Sequence, residues 1–224
     1  MAERGRKFLV LSEVASLTWA ERPVKEAAVK LYSYVVDHDN GHAPNPYFDF
    51  CTLCRCKFRE SAAGRRKIVE LAEKGDWVVG TGGANPRKSA GHGNLVYAMK
   101  VDEKPSRLEY FKDSRFKNKK PVKRGTYEQT RGDNIRPLTG FEKHQQFALI
   151  SQHFYYFGAE AKKIPQEFDL EKKSRGFRCI SDQIAIRRFV GWLRKEFEPG
   201  KHAEPCYQER ADKTKGNKRC KSSY

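Results

Sequence analysis

Three runs of β-branched and aromatic residues constrain this chain most. Leu31-Tyr-Ser-Tyr-Val-Val36, Gly75-Asp-Trp-Val-Val-Gly80 and Phe147–Phe157 (FALISQHFYYF) read as strands, the last being the most strand-prone stretch of the sequence. Gly75-Asp is a turn feeding the second run. A Gly-rich loop over Thr81–Gly93 leads to a further strand, Asn94–Glu103, so the pair is expected to form an antiparallel hairpin with a long tip. Two helices are expected. Ser61 caps the first, over Ala62–Glu73, with Ile68, Leu71 and Ala72 on one side and Arg65, Arg66 and Lys67 away from it. Ser181 caps the second, Asp182–Phe197, where Ile186, Phe189, Val190, Leu193 and Phe197 make one apolar stripe opposite Arg187, Arg188, Arg194 and Lys195. Strands outnumber helices without regular alternation. That excludes a doubly wound sheet and favours an α+β fold, a small curved antiparallel sheet or a small β-barrel with flanking helices.

Charge narrows the partners. Hydrophobic residues make up 38% of the chain and charged ones 33%, so the core is modest and part of the chain lies outside it. Aromatics at 12% exclude disorder throughout. The formal net charge of +17 fits a polyanion, nucleic acid ahead of an anionic membrane surface. No run of apolar residues is long enough to span a membrane, and Phe8–Leu11 is too short for the core of a secretory signal, so a cytoplasmic location is expected. In that compartment the six cysteines are expected to be thiols. Charge concentrates in Lys104–Arg124, where nine Lys/Arg stand against two Asp/Glu and Tyr110, Phe111 and Phe116 interleave. Residues 201–224 have seven Lys/Arg, three Asp/Glu and no aliphatic core residue, and read as a disordered basic tail after a domain over residues 29–200.

Few motifs carry chemistry by themselves. Cys51-Thr-Leu-Cys-Arg-Cys56 has one C-x-x-C turn but no second pair at matching spacing, so a thiol-rich strand or turn outweighs a zinc site. Arg55, Lys57 and Arg59 would lower a thiol pKa there, but no partner base is fixed. Gly80-Thr-Gly-Gly83 lacks the phosphate-loop spacing; its readings are a plain hairpin tip or free N–H groups that touch a phosphate. Gly132-Asp-Asn-Ile135 is either a turn or a polar pair able to bond a base edge. In His153–Phe157, one face holds His153, Tyr155 and Phe157 and the other Phe154 and Tyr156; a wet face would be a stacking platform, and the alternative is burial on both sides. The sequence carries no Ser-His-Asp order, metalloprotease or deaminase signature.

Several segments, in order, carry a resemblance: Tyr32-Ser-Tyr-Val-Val36, Ala43-Pro-Asn-Pro46, Cys51-Thr-Leu53, Gly75-Asp-Trp-Val-Val-Gly-Thr-Gly82, Leu95-Val-Tyr-Ala-Met99, Asp113 with Arg115-Phe116, Lys120-Pro121, Gly132-Asp-Asn-Ile135, and Leu149-Ile-Ser151 with Tyr156-Phe-Gly158. Over about residues 30–165 the chain resembles the second type of nucleotide-modification-associated domain, known from bacteria and phages and often encoded beside DNA base-modification genes. Cys54 and Phe58 depart from the pattern, and the stretch after Ile135 is shorter than in many relatives. The order of elements is also similar to PUA-like domains of the EVE and ASCH kind, small β-barrels that hold a base in a pocket. That likeness implies Trp77 and Tyr97 lining a pocket, Thr81 bonding a base, and Arg65 and Arg66 reaching phosphates; the alternative is that Trp77 and Tyr97 are core aromatics.

The expected function is therefore recognition of a base or nucleotide in DNA base modification. Phosphates would meet Lys112, Arg115, Lys117, Lys119, Lys120 and Lys123, and the base would meet aromatic faces, Tyr155 among them, with Asp133 and Asn134. The partner would be nucleic acid, DNA ahead of RNA, or a free nucleotide; no metal and no cofactor is called for. The rival is an enzyme of hypermodification, with Cys51, Asp133 and His153 as candidate nucleophile or acid–base groups. A third reading is a basic interaction protein without base recognition.

Residues 1–28 offer little to bury besides Trp19, and the strand run follows them abruptly. The family-like region opens at Lys30, relatives tend to begin with methionine there, and Val29 is what a GTG start codon reads as inside a gene. Lys25-Glu26 can be encoded as a ribosome-binding sequence, with Ala27-Ala28 as spacer. A start placed too far upstream is the favoured reading, against a flexible arm. Intact mass of the protein made from its natural gene is expected to show a species beginning at residue 29; a species that includes Trp19 sinks the idea.

Overall fold

The computed structural model describes residues 28–54, 58–61, 64–85, 88–119, 147–170 and 176–207. In chain order its strands are β1 (Leu31–Val36), β2 (Cys51–Leu53), β3 (Phe58–Ser61), β4 (Gly64–Lys67), β5 (Trp77–Gly82), β6 (Leu95–Lys100), β7 (Leu149–Ser151), β8 (Phe154–Tyr156), β9 (Phe177–Ile180) and β10 (Gly200–Lys201). Its α-helices are α1 (Ile68–Leu71), α2 (Arg107–Lys112) and α3 (Gln183–Glu196). Six strands make the main sheet in the order β10-β8-β6-β5-β1-β9, while β2 pairs with β7 and β3 with β4. The class is α+β, as the sequence implies. The sheet is mixed, because β1 runs parallel to β5 and β10 parallel to β8, where antiparallel pairing throughout was expected. It is also open: among the described residues β9 and β10 are its two edges and no barrel closes.

The β5–β6 hairpin forms as its sequence demands, with a register shift between Gly80 and Thr81. Two other expectations are corrected. The run over Phe147–Phe157 is two strands in two sheets. The Asp102 carboxylate accepts from the N–H groups of Gln152 (2.8 Å) and His153 (3.3 Å), and the Ser151 hydroxyl donates to the His153 carbonyl (2.8 Å), which makes a turn in mid-run. The helix expected over Ala62–Glu73 is a hairpin, β3–β4, followed by the single turn α1. Ser61 faces Gly64 across the hairpin instead of capping a helix. Within α1 it is Ile68 and Val69 that are buried.

Alternation along the strands separates two cores. Tyr32, Tyr34, Val36, Val78, Tyr97, Met99, Phe154 and Tyr156 pack on one face under Cys51, Leu53, Leu149 and α1. Leu31, Trp77, Val79, Leu95, Ala98, Tyr155 and Phe157 pack on the other under Ile186, Phe189, Val190 and Leu193 of α3. The stripe read from the sequence is thus the buried side of α3. Its cap is Asp182, whose Oδ1 accepts from the N–H groups of Ile184 (2.8 Å) and Ala185 (3.2 Å), one residue beyond the expected Ser181.

The segment beyond residue 200 belongs to the fold as far as Tyr207, correcting the tail expected from residue 201. Its anchor is Asp39, which is 1% exposed. Asp39 accepts from the Tyr156 hydroxyl (2.5 Å) and the Cys206 N–H (3.2 Å), its own N–H donates to the Lys88 carbonyl (2.8 Å), and its carbonyl accepts from the Tyr207 N–H (2.8 Å). Cys206 is disulfide-bonded, whereas Cys51, Cys54 and Cys179 are free thiols, so the expectation of six thiols does not hold. Burial raises the Asp39 carboxyl to about 6, against the lowering effect of the bonds from Tyr156 and Cys206. A carboxyl whose folded pKa exceeds its unfolded value of about 3.9 contributes stability below pH ~4 that is lost as pH rises through the folded value. Denaturation midpoints of the wild type should therefore fall between pH 4 and 6.5 relative to Asp39→Asn, by on the order of 2–3 kcal/mol. Parallel profiles for the two proteins would show that Asp39 ionises as freely in the fold as in the unfolded chain.

Candidate nucleic-acid interface

The basic stretch after Lys104 was expected to meet phosphates, and tertiary structure takes several of its charges out of play. Lys119 is fully buried. Its Nζ donates to the Asn45 carbonyl (2.9 Å), Asn45 Oδ1 (2.9 Å), the Phe50 carbonyl (2.7 Å) and Thr52 Oγ1 (3.4 Å). This ammonium clamps the loop before β2 and is not a phosphate ligand. Arg115 makes a two-pronged bond to Glu103 (2.8 and 2.8 Å), a second ion pair with Asp113 (2.7 Å), and lies over the Phe116 ring. Its charge is spent locally, and its bonds hold the Glu103 carboxyl below the usual range. Lys104 pairs with Glu73 (2.7 Å), and Arg107 is buried. Lys112 and Lys117 stay exposed. Arg65 and Arg66 lie on β4, opposite Glu60 and Arg59, and not on a helix. Lys120, Lys123, Asp133 and Asn134 lie outside the described residues.

The expected base-contacting aromatics are divided by the sheet. Tyr97 sits on one face, where its hydroxyl donates to that of Tyr34 (2.9 Å) and its ring fills the space a side chain at Gly80 would need. Trp77 and Tyr155 sit on the other, so Trp77 and Tyr97 cannot line one pocket. Thr81 is buried, and its hydroxyl donates to the Tyr34 carbonyl (3.3 Å). The Gly-rich loop closes on itself: the Gly82 N–H donates to the Asn94 carbonyl (2.7 Å) and the Gly83 N–H to Ser89 Oγ (2.7 Å), leaving neither for a phosphate. Cys51 is buried in the tyrosine-rich core and Cys54 in a separate cluster with Tyr110 and Phe116, so the C-x-x-C turn does not bring its sulfurs into one cluster.

Three of the singled-out residues do converge. His153, at the turn between β7 and β8, is half-buried, with its ring edge-on to Trp77 (5.7 Å) and to Tyr155 (5.8 Å). The Tyr155 hydroxyl lies 3.3 Å from His153 Nε2. Burial, then the cations Arg194 and Lys100, hold the His153 pKa below its ordinary value, against the opposing pull of Asp102. Burial also raises Tyr155, so its hydroxyl keeps its proton. In the tautomer where Tyr155 donates to Nε2, the imidazole proton sits on Nδ1, which makes no hydrogen bond among the described residues. Trp77 and Tyr155 are buried and pack edge-on around the imidazole. Cys51 is fully buried in the tyrosine-rich core, whereas the His153 ring packs against Trp77 and Tyr155 of the other core. Lys100, Asp102 and Arg194 complete this corner. Only Arg194 was marked in the sequence, as part of a basic helix face; nothing local to β6 signals that Lys100 and Asp102 meet the turn at His153.

Among the described residues no helix is long and apolar enough to cross a membrane. Lys119→Met should cost about 3 kcal/mol or more in chemical denaturation, because the buried oxygens around Nζ lose their donor, and should leave the salt dependence of DNA binding unchanged. A mild stability loss with a flatter salt plot would return Lys119 to the phosphate surface.

No curated protein and no solved structure matches the chain. One family model does, that of nucleotide modification associated domain 2, over residues 28–147 and 138–213. The two matches overlap and together take in the main sheet, both cores and the segment anchored at Asp39, so this chain belongs to the nucleotide modification associated domain 2 family.

Proposed function

We propose that this protein recognises a base of DNA during base modification, holding an unstacked base against His153 beside a cationic surface. The observation that carries this reading is the His153 corner. Its imidazole packs against Trp77 and Tyr155, keeps Nδ1 without a hydrogen bond among the described residues, and lies in the field of Arg194 and Lys100. A base that is to be modified must leave the helical stack, and an unstacked base is read by an aromatic face and by bonds to its edge. Phosphates on either side of it would meet cations that no carboxylate of the described fold neutralises, Lys112 and Lys117 included. A hypermodification enzyme has less support, because Cys51 is fully buried and so closed to a substrate.

The test separates base from backbone. Binding of a single-stranded oligonucleotide is compared with that of the same strand made abasic at one position. The wild type should favour the intact strand, and His153→Ala should lose about 1–3 kcal/mol of that preference while keeping its melting temperature. If His153→Ala retains the full preference, the base is read elsewhere and this assignment fails.

A further inference from the structure

We infer that the outward face of α3 docks on the sugar–phosphate backbone of duplex DNA. At about 100° per residue, Ile184, Arg187, Arg188, Gly191, Arg194 and Lys195 fall within one sector of about 120°. All six are exposed, and the buried residues Ile186, Phe189, Val190 and Leu193 point the opposite way. The four cations of this sector make no ion pair and no hydrogen bond among the described residues. That sets them apart from Lys104, Arg115 and Lys119, which are spent on Glu73, on Glu103 and Asp113, and on buried oxygens. No carboxylate shares the sector. Asp182 is committed to capping, and Glu196 lies on another side of the helix.

Gly191 supplies a second observation. It stands in the middle of the sector and in the interior of a helix, where glycine is destabilising relative to alanine. The fold does not require it, since a Cβ at this position would meet nothing within 4 Å. Its lack of a side chain makes a shallow notch between two pairs of cations. Arg187 and Arg194, like Arg188 and Lys195, are seven residues apart, about 10.5 Å along the axis. A backbone crossing the helix in the notch would thus have cations on both of its sides. With a formal net charge of +17 on the chain, the complementary partner is a polyanion. Arg194 belongs to this face, and its charge also helps hold the His153 pKa below its ordinary value.

The inference rests on the proposed function only for its choice of DNA, and the two fail separately: the abasic comparison reads the base contact, the salt dependence reads the backbone. The full chain is titrated with duplex DNA over a range of KCl concentrations. Replacing Arg187, Arg188, Arg194 and Lys195 together by Gln should flatten the slope of log affinity against log salt by about 3.6, four contacts at about 0.9 each. Gly191→Leu should raise the melting temperature and weaken duplex binding at least tenfold, a combination that a purely structural role for Gly191 would not produce. An unchanged slope in the fourfold variant, or a stabilised Gly191→Leu protein with wild-type affinity, overturns the inference. So does binding to phosphatidylglycerol–phosphatidylcholine vesicles that the fourfold variant loses while duplex binding persists, because the face would then serve a membrane surface.

Discussion

The pleat of β5 and β6 decides which side chains of this protein can ever meet. Successive residues of a strand point to opposite faces, so Trp77 and Val79 enter one core and Val78 the other. Across the hairpin, Val78 faces Met99 and Gly80 faces Tyr97, while Val79 faces Ala98. The register then slips, and Thr81 faces Leu95. That slip leaves Val96 on the same side as Tyr97, and lets Leu95 and Ala98 both pack under α3. Because β1 lies parallel to β5 in matching register, its tyrosines follow the same parity, and Tyr34 comes to share a hydroxyl bond with Tyr97. One choice of face at Trp77 therefore settles where Tyr97, Tyr155, Tyr156 and His153 go.

What could be read from the sequence depended on how local its cause was. The α3 stripe is a 3.6-residue pattern within one segment, and it was legible. The β1 run and the β5–β6 hairpin are likewise local in composition and turn chemistry. The Phe147–Phe157 run misled because its break comes from Asp102, some fifty residues earlier, whose carboxylate takes two backbone donors at Gln152 and His153. The hairpin in place of a helix before Ile68 was hidden by helix-favouring residues around Gly64; pairing across the β3–β4 turn overrode their propensity. Parallel pairing of β1 with β5 has no signature in either strand, since each reads the same in both directions.

Charge misled in a more instructive way. Counting Lys and Arg along Lys104–Arg124 treats each as a solvated point, whereas the fold sorts them by neighbour. Lys119 entered the interior because four oxygens wait for it there, and a buried ammonium is tolerable only with such partners. Arg115 was drawn to Glu103, twelve residues earlier, by the match between guanidinium and carboxylate. The less conspicuous cations of α3 have no such partners among the described residues. The density of charge in the sequence and the availability of charge on the surface are thus different quantities, and only the second bears on a polyanion.

The same distinction applies to the polar groups of the two cores. On the tyrosine-rich face, Asp39 is held by Tyr156 and Cys206, Tyr97 is bonded to Tyr34, and Ser89 both accepts from the Gly83 N–H and donates to the Val36 carbonyl. A ligand that approached these groups would have to break a bond for each one it made, and the net gain of an exchanged hydrogen bond is small. Such a network specifies a fold. His153 stands in a different position, since among the described residues only one of its ring nitrogens is engaged and its ring is partly open to solvent. The free energy available for recognition resides in groups that the fold orients without satisfying. In this molecule the His153 imidazole and the α3 cations, which pair with nothing among the described residues, meet that condition, and the charge of Arg194 is felt at His153.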